Sequence, residues 1–155
     1  MMSIRTQNRS ESPIQQKKIK VLRVITRLNI GGPSIKAVSL TTRLNAFGYN
    51  SLLVHGSLSS GEGDMGYLLL QQGVEALKIQ ALQRSVNPKT DIDAACQLYR
   101  ILCDYQPDII HTHTAKAGAL GRLVTIFYNL TRGRQRPVRV VHTCGVSCGL
   151  WPPGT

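Results

Sequence analysis

The sequence alternates short apolar runs with longer segments of helical periodicity, and this alternation is the feature that most limits the fold. Runs rich in Val, Ile and Leu occupy residues 21–28, 51–55, 74–81, 109–113 and 138–143. Strands that alternate with helices form a parallel sheet covered on both faces, with right-handed crossovers between strands. We therefore predict an α/β fold, a Rossmann-like three-layer sandwich with a mainly parallel sheet of about five strands.

Glycine, proline and capping residues predict where two of the helices begin and end. Pro33 suits the first turn of a helix, and Gly48 supplies its stop. The apolar face of this helix is expected to hold Ala37, Leu40, Leu44 and Phe47. Thr90 and Asp93 resemble a capping box that starts a later helix. Its predicted apolar residues are Ile92, Ala95, Tyr99 and Leu102.

Polar side chains crowd the end of the fourth predicted strand. Residues 108–122 read D-I-I-H-T-H-T-A-K-A-G-A-L-G-R, so a buried strand passes through two histidines into a helix. His111 and His113 are two residues apart, and strand alternation places both on one face. Ligands bind at the carboxyl ends of strands in open parallel sheets. Polar residues at a buried strand end therefore indicate a functional site.

The histidines as a group point to the same edge of the sheet. All four (His55, His111, His113 and His142) fall at or near predicted carboxyl ends of strands, which favours a single crevice. An equally weighted alternative for any one of them is that it only satisfies nearby backbone groups. His142, Cys144 and Cys148 lack the paired fourth ligand of a structural zinc site, so no metal site is predicted.

A glycine turn follows the first predicted strand. Gly31-Gly32-Pro33-Ser34 has neither the third glycine of a dinucleotide fingerprint nor the Gly-Lys-Ser/Thr of a P-loop. The N–H groups of Gly32, Ser34 and Ile35 at a helix N-terminus would still form an anion site. The alternative is a tight turn without a ligand.

Charge is distributed unevenly along the chain. The formal net charge is +11, and no Asp or Glu occurs between Ser12 and Gly61 or after Asp108. The basic residues of the last third are Lys116, Arg122, Arg132, Arg134, Arg136 and Arg139. This pattern favours an anionic partner, or equally a chain that lacks an acidic half. It supports one alternative function, a non-catalytic basic module that binds anionic membrane lipid or nucleic acid. No aromatic residues are interleaved for base stacking, so specific nucleic-acid binding is not expected.

The termini and cysteines suggest a compartment. Residues 1–16 are polar, lack an apolar core for a secretory signal, and are expected to form a disordered basic tail. Four cysteines without such a signal favour a reduced, cytoplasmic setting. No apolar run reaches the length of a membrane span, so any membrane contact would be peripheral, at the inner face.

Three motifs carry a family resemblance. L-R-V-I-T-R-L-N-I-G-G-P, D-I-I-H-T-H-T-A-K-A-G-A-L-G-R and V-V-H-T resemble, in order and spacing, the N-terminal domain of glycosyltransferase family 4 enzymes over about Lys20 to Thr143. The resemblance implies a GT-B architecture with two Rossmann-like domains around a cleft. It also implies retaining, metal-independent and cofactor-free transfer from a nucleotide-sugar donor to a glycan or lipid-linked acceptor, as in polysaccharide biosynthesis.

The same resemblance implies roles for individual residues. Gly31 and Gly32 would face the diphosphate and sugar of the donor, while the histidine motifs line the cleft. His113 and His142 are the expected catalytic residues. The expected substrate-binding residues are Gly31, Gly32, Ser34, His111, Thr114 and Lys116.

The resemblance ends abruptly after Cys144. The family continues into a His-Gly-His element, whereas residues 145–155 match nothing in the family and are expected to be disordered. A frameshift is one hypothesis for so sharp a loss. The domain is thus expected to span residues 17–144, without the donor-binding C-terminal domain and its paired glutamates. The resulting expectation is the acceptor-side half of a glycosyltransferase, inactive as this truncated chain.

Overall fold

A computed structural model describes residues 17–132 and 137–143 of the chain. The predicted tails, residues 1–16 and 145–155, lie outside the described residues, as do Arg134 and Arg136. The elements in order are β1 Lys20–Ile25, α1 Gly32–Ala46, β2 Asn50–His55, α2 Tyr67–Gln71, β3 Ala76–Lys78, α3 Pro88–Tyr105, β4 Ile109–His113, α4 Ala115–Arg132 and β5 Arg139–Thr143.

The five strands form one parallel sheet in the order β3-β2-β1-β4-β5, which confirms the predicted fold class. The strand order reverses between β1 and β4. This is the topological switch point, where open α/β sheets form a crevice at the carboxyl ends of the strands. In the register of this pair, Arg23 lies opposite His111 and Ile25 lies opposite His113.

Helices pack on both faces of the sheet. Alternate residues of the central strands, such as Leu22, Val24 and Ile110, join α3 and α4 in the larger core cluster. The smaller cluster lies on the α1 face, where Ile25 and Leu53 meet Ala37 and Val38. Successive strand residues point to opposite faces of the sheet. The cluster that contains a strand residue therefore shows which face of the sheet that residue occupies.

The buried face of α1 differs from the sequence prediction. Ala37 is buried as expected, but Leu40 is exposed, and Phe47, just past the helix, is 80% exposed. The side chains that face the sheet are small, namely Ser34, Ala37, Val38 and Thr41. Thr41 can be buried because its hydroxyl donates to the Ala37 carbonyl at 2.8 Å. The prediction selected the largest apolar side chains, whereas the buried face carries small ones.

The start of α3 also differs. Asn87 is the N-cap and accepts a hydrogen bond from the Lys89 N–H at 3.0 Å, with Pro88 in the first turn. Thr90 is therefore not the cap. Leu102 is buried as predicted, but the other buried residues are Ala94 and Leu98, and Ile92 is exposed, so the helix is rotated relative to the predicted apolar face. None of the helices in the described residues has the length and apolar character needed to cross a membrane.

Candidate functional site

A buried arginine lies beneath the two histidines of β4, at the switch point. Arg23 is 1% exposed, and its Nη1 lies 3.1 Å from His111 Nδ1 and 3.3 Å from His113 Nε2. The two imidazole centroids are 4.3 Å apart. This geometry confirms that His111 and His113 share a face, as the alternation predicted. Arg23 was not predicted as a site residue, although it is the charged residue in the middle of the otherwise apolar run of residues 21–25.

The hydrogen bonds of this group assign the imidazole tautomers. A guanidinium group only donates, so His111 Nδ1 and His113 Nε2 must both accept from Arg23. The proton of His111 then resides on Nε2, which donates to Thr143 Oγ1 at 2.7 Å. Among residues 17–132 and 137–143, Arg23 forms no ion pair, and its Nε has no hydrogen-bond partner. The cluster therefore holds a buried positive charge that no carboxylate of the described residues pairs with.

Burial and this positive charge hold both histidines neutral. Burial lowers the pKa of Arg23 to about 10, which still leaves the group charged at pH 7. The pKa of His111 falls to about 4, mainly by burial and then by the charge of Arg23. The pKa of His113 falls to about 3 through burial, His111 and Arg23. At neutral pH His113 is therefore a neutral, buried hydrogen-bonding group (3% exposed) that holds no acidic proton to donate.

The remaining histidines do not join this group. His142 pairs with Thr112, whose hydroxyl lies 2.9 Å from His142 Nδ1, and its ring lies over Gly118 of α4. It therefore faces α4, whereas His111 and His113 face the α1 side. His55 bonds instead to the carbonyl of Gly56 at 3.0 Å. The prediction of one crevice is wrong for His142, because adjacent residues of β4 and their partners in β5 point to opposite faces, whereas His55 pairs with Ile25 and points to the α1 side.

The glycine turn lies at the start of α1, as predicted. Ser34 Oγ donates to the Asn29 carbonyl at 2.6 Å and fixes the turn. Ile35 N–H bonds to the Gly31 carbonyl at 3.4 Å, so the prediction that it is free for an anion is wrong. In the described part of the chain, the N–H groups of Gly32 and Ser34 form no such bond. A Cβ on Gly32 would meet no atom within 4 Å, so the space beside Gly32 is open.

Thr114 joins the ends of β4 and β1. Its φ is 80°, a conformation that a branched side chain rarely adopts. Its Oγ1 lies 2.6 Å from Thr26 Oγ1, and its carbonyl accepts from the Gly118 N–H at the start of α4. Strained residues of this kind concentrate at functional sites. Thr114 therefore lies at the edge of the candidate site, beside His113.

Lys116 is directed away from the glycine turn. Its ammonium group pairs with Asp91 Oδ1 at 2.5 Å and contacts the carbonyl of Ser85, so it ties α4 to the start of α3. The structure thus does not bring Lys116 to His111 and His113. Within the described ranges, no group of three or more His, Cys, Asp or Glu side chains is arranged to hold a metal ion.

A cavity of about 210 Å³ lies elsewhere, lined by Cys103, Gln106, Tyr128 and Arg132. Cys103 lies in the last turn of α3 and Gln106 is the C-cap of that helix, while Tyr128 and Arg132 lie near the end of α4. The strands that follow these helices start at this edge of the sheet, so the cavity is remote from the histidines at the carboxyl ends. We therefore do not assign it to the candidate site.

Comparisons with known proteins bear on the fold. No protein-family model and no curated protein matches the chain. A glycosyltransferase from Rickettsia africae ESF-5 has a similar structure, with a TM-score of 0.56 and 14% identity over 82% of this chain and 30% of that one. A UDP-N-acetylglucosamine 2-epimerase gives a TM-score of 0.59 and 20% identity, over 82% and 33% of the two chains. MurG of Acinetobacter baumannii has a TM-score of 0.53 and 14% identity, over 80% of this chain and 35% of that one.

The chain spans about a third of the length of these solved structures. At such low identities the similarity establishes the fold and not the reaction, and the three proteins include both a glycosyltransferase and an epimerase. The described residues form an α/β, Rossmann-like domain of the kind found in GT-B enzymes.

Proposed function

We propose that this chain is the acceptor-side, N-terminal domain of a family 4 glycosyltransferase of the GT-B type. Its reaction would move a sugar from a nucleotide-sugar donor to a glycan or lipid-linked acceptor in polysaccharide biosynthesis. The observation that carries the proposal is the position of the Arg23–His111–His113 group and the Gly31–Ser34 turn. Both lie at the β1/β4 switch point, where the fold binds ligands.

In this proposal the donor diphosphate binds at the start of α1. The free N–H groups of Gly32 and Ser34 and the positive end of the helix dipole would face the phosphate oxygens. Lys36 adds positive charge, and it lies close enough to His113 to help lower the pKa of that histidine. Gly31 has no side chain to obstruct the approach of the ligand.

The proposal assigns contacts with the reacting sugar to His113 and His142, with His111 and Thr114 lining the cleft. Neutral His113 would contribute a hydrogen bond and not a proton transfer, because its pKa is about 3. His142 would contact the sugar only from the α4 side of the sheet. Lys116 takes no direct part, since Asp91 already pairs with it.

We expect the chain alone to transfer no sugar, because donor and acceptor must be held together in a cleft from which water is excluded. The chain corresponds to only about a third of the GT-B enzymes that it resembles in fold. The test incubates the purified chain with a panel of nucleotide sugars and lipid-linked acceptors, and follows the products by mass spectrometry. Clear turnover would contradict the proposed inactivity, and 2-epimerised nucleotide sugar would contradict the proposed reaction class.

Anion binding at the glycine turn tests the same proposal without catalysis. We expect pyrophosphate to bind with a Kd near 1 mM, about −4 kcal/mol, and to shift the amide signals of Gly32 and Ser34 in NMR spectra. Gly32→Val should abolish this binding, because a branched side chain at residue 32 would hinder the close approach of the phosphate to the backbone. The fold should tolerate the change, since a Cβ there meets no protein atom within 4 Å.

His113→Ala is the matched control and should leave the affinity within about twofold, because His113 is not a predicted phosphate ligand. Equal binding by wild type and Gly32→Val would place the anion elsewhere. So would shifts confined to exposed arginines such as Arg122 and Arg139.

A further inference from the structure

His111 and His113 differ in how many of their ring nitrogens have a partner within the chain. His111 accepts from Arg23 at Nδ1 and donates from Nε2 to Thr143 Oγ1 at 2.7 Å, so both of its nitrogens are hydrogen-bonded. His113 accepts from Arg23 at Nε2, and none of the described residues bonds to its Nδ1. Nδ1 of His113 is therefore the imidazole nitrogen of this pair that is left for a ligand.

This nitrogen is also accessible, although the rest of the His113 side chain is almost fully buried. Within the described residues, the buried side-chain atoms without a hydrogen-bond partner include Nε of Arg23 but not Nδ1 of His113. An unpaired polar atom that is not buried is in contact with solvent, so the small exposed part of His113 includes Nδ1. A buried ring with one accessible polar atom is held in a fixed direction, which suits contact with a ligand.

Arg23 determines which nitrogen of His113 carries the proton. A guanidinium group only donates, and Nη1 of Arg23 has two hydrogens, one for each imidazole. Nε2 of His113 is therefore unprotonated, and the proton of the neutral ring lies on Nδ1. A carboxylate beside a histidine has the opposite effect. It accepts the ring proton and leaves a lone pair on the other nitrogen, as a general base requires.

We propose that Arg23 is a positioning residue that fixes His113 as a hydrogen-bond donor, with the proton on the accessible Nδ1. His113 then accepts neither a proton nor a hydrogen bond from a ligand, because Arg23 occupies the lone pair of the ring. The ligand group that meets Nδ1 is an acceptor, such as a hydroxyl, carbonyl or phosphate oxygen. An ammonium group is excluded, because it only donates and would lie near the buried charge of Arg23. This consequence for the ligand rests on the proposed function, whereas the position of the proton does not.

Long-range ¹H–¹⁵N NMR spectra of the whole ¹⁵N-labelled chain test the proposal at neutral pH, because protonated and unprotonated imidazole nitrogens resonate in separate regions. The variant His113→Gln identifies the signals of residue 113. We expect the form of His113 with the proton on Nδ1 to exceed the other form by about tenfold or more, as a hydrogen bond from a charged donor supplies. A proton on Nε2, or an equal mixture, would overturn the proposal. The spectra are recorded without a ligand, so they test the role of Arg23 separately from sugar transfer.

Substitutions of Arg23 test whether this residue is the cause. Arg23→Met keeps a long side chain but removes the donor, so the excess of the Nδ1-protonated form should be lost, and Arg23→Lys should restore it because an ammonium group also only donates. The matched control is Arg27→Met, which should keep the wild-type spectrum, since Arg27 pairs instead with Glu62 at 2.9 Å.

Melting curves check that each variant is folded. The proposal is wrong if folded Arg23→Met keeps the excess, or if Arg27→Met loses it equally. If Arg23→Met does not fold, the wild-type spectrum still decides, because a proton on Nε2 of His113 is incompatible with a hydrogen bond from Arg23.

Discussion

Acidification from about pH 7 to pH 5 should lower the free energy of unfolding by about 4 kcal/mol through two histidines alone. The pKa values of His111 and His113 are about 4 and 3 in the folded chain, against an ordinary value of 6.5. At pH 5 each imidazole stays neutral when folded and becomes protonated when unfolded. This difference contributes about 2 kcal/mol for each histidine in favour of unfolding.

The sign follows from the direction of both shifts. A folded pKa below the unfolded one means that the unfolded chain binds more protons between the two values. The contribution of the two histidines to the free energy of unfolding is therefore fully present above about pH 6.5. It is lost progressively as the pH falls toward 4. The free energy of unfolding of small domains is about 5–15 kcal/mol, so a loss of this size is a large fraction of it. We therefore expect acid unfolding within this pH range. Denaturant unfolding curves at a series of pH values would measure the slope.

The control is the double variant His111→Gln/His113→Gln. Glutamine does not titrate, and its amide oxygen can still accept from Arg23, so stability should change much less between pH 7 and 5. Lys36 and His142 also act on this pair electrostatically and are unchanged in the variant. Parallel slopes for wild type and variant would show that other groups cause the acid sensitivity.

The fold could be predicted because the pattern of apolar residues that specifies each element is local and recurs along the chain. Most strands lie in short runs rich in Val, Ile and Leu, the long helices have apolar residues at helical spacing, and the alternation of strands with helices is compatible with few topologies. The first residues of the helices and the residues on their buried faces were less predictable. Phe47 has the largest apolar side chain near α1 yet lies outside, while Thr41 is buried, because distance from the sheet, and not hydrophobicity, selects the inner face.

The site was predictable only where it depends on one strand. Alternation within β4 places His111 beside His113 without knowledge of any other element. Arg23 and His142 are different, because their neighbours are set by the registers of the β1–β4 and β4–β5 pairs. Those registers join residues 88 and 30 positions apart in the sequence, as in the Arg23–His111 and Thr112–His142 contacts. No local pattern encodes them.

A second large effect is expected from Gly56→Ala, which should destabilise the fold by about 3 kcal/mol or more. An added Cβ would lie 1.7 Å from the Leu82 carbonyl oxygen and 2.3 Å from that of Thr26. Both obstacles are backbone atoms of the packed core, so neither can move aside. Chemical denaturation of the variant and of the wild type measures the difference in the free energy of unfolding.

Gly118→Ala provides the comparison, because the same methyl group there meets a side chain and not backbone. Its Cβ would lie 2.6 Å from His142 Cε1. The imidazole can rotate away at the cost of its hydrogen bond to Thr112, about 1 kcal/mol. Equal losses for the two variants would show that the backbones do not approach so closely at Gly56.

The close approach at Gly56 also supports the candidate site. Gly56 N–H donates to the Thr26 carbonyl at 3.1 Å, and the Thr26 hydroxyl holds Thr114 at the end of β4. A methyl group at residue 56 would therefore displace the β1 end and, through it, the positive-φ residue next to His113. We expect residual folded Gly56→Ala to show shifted NMR signals at Thr114, whereas Gly118→Ala should shift His142 and leave Thr26 unchanged.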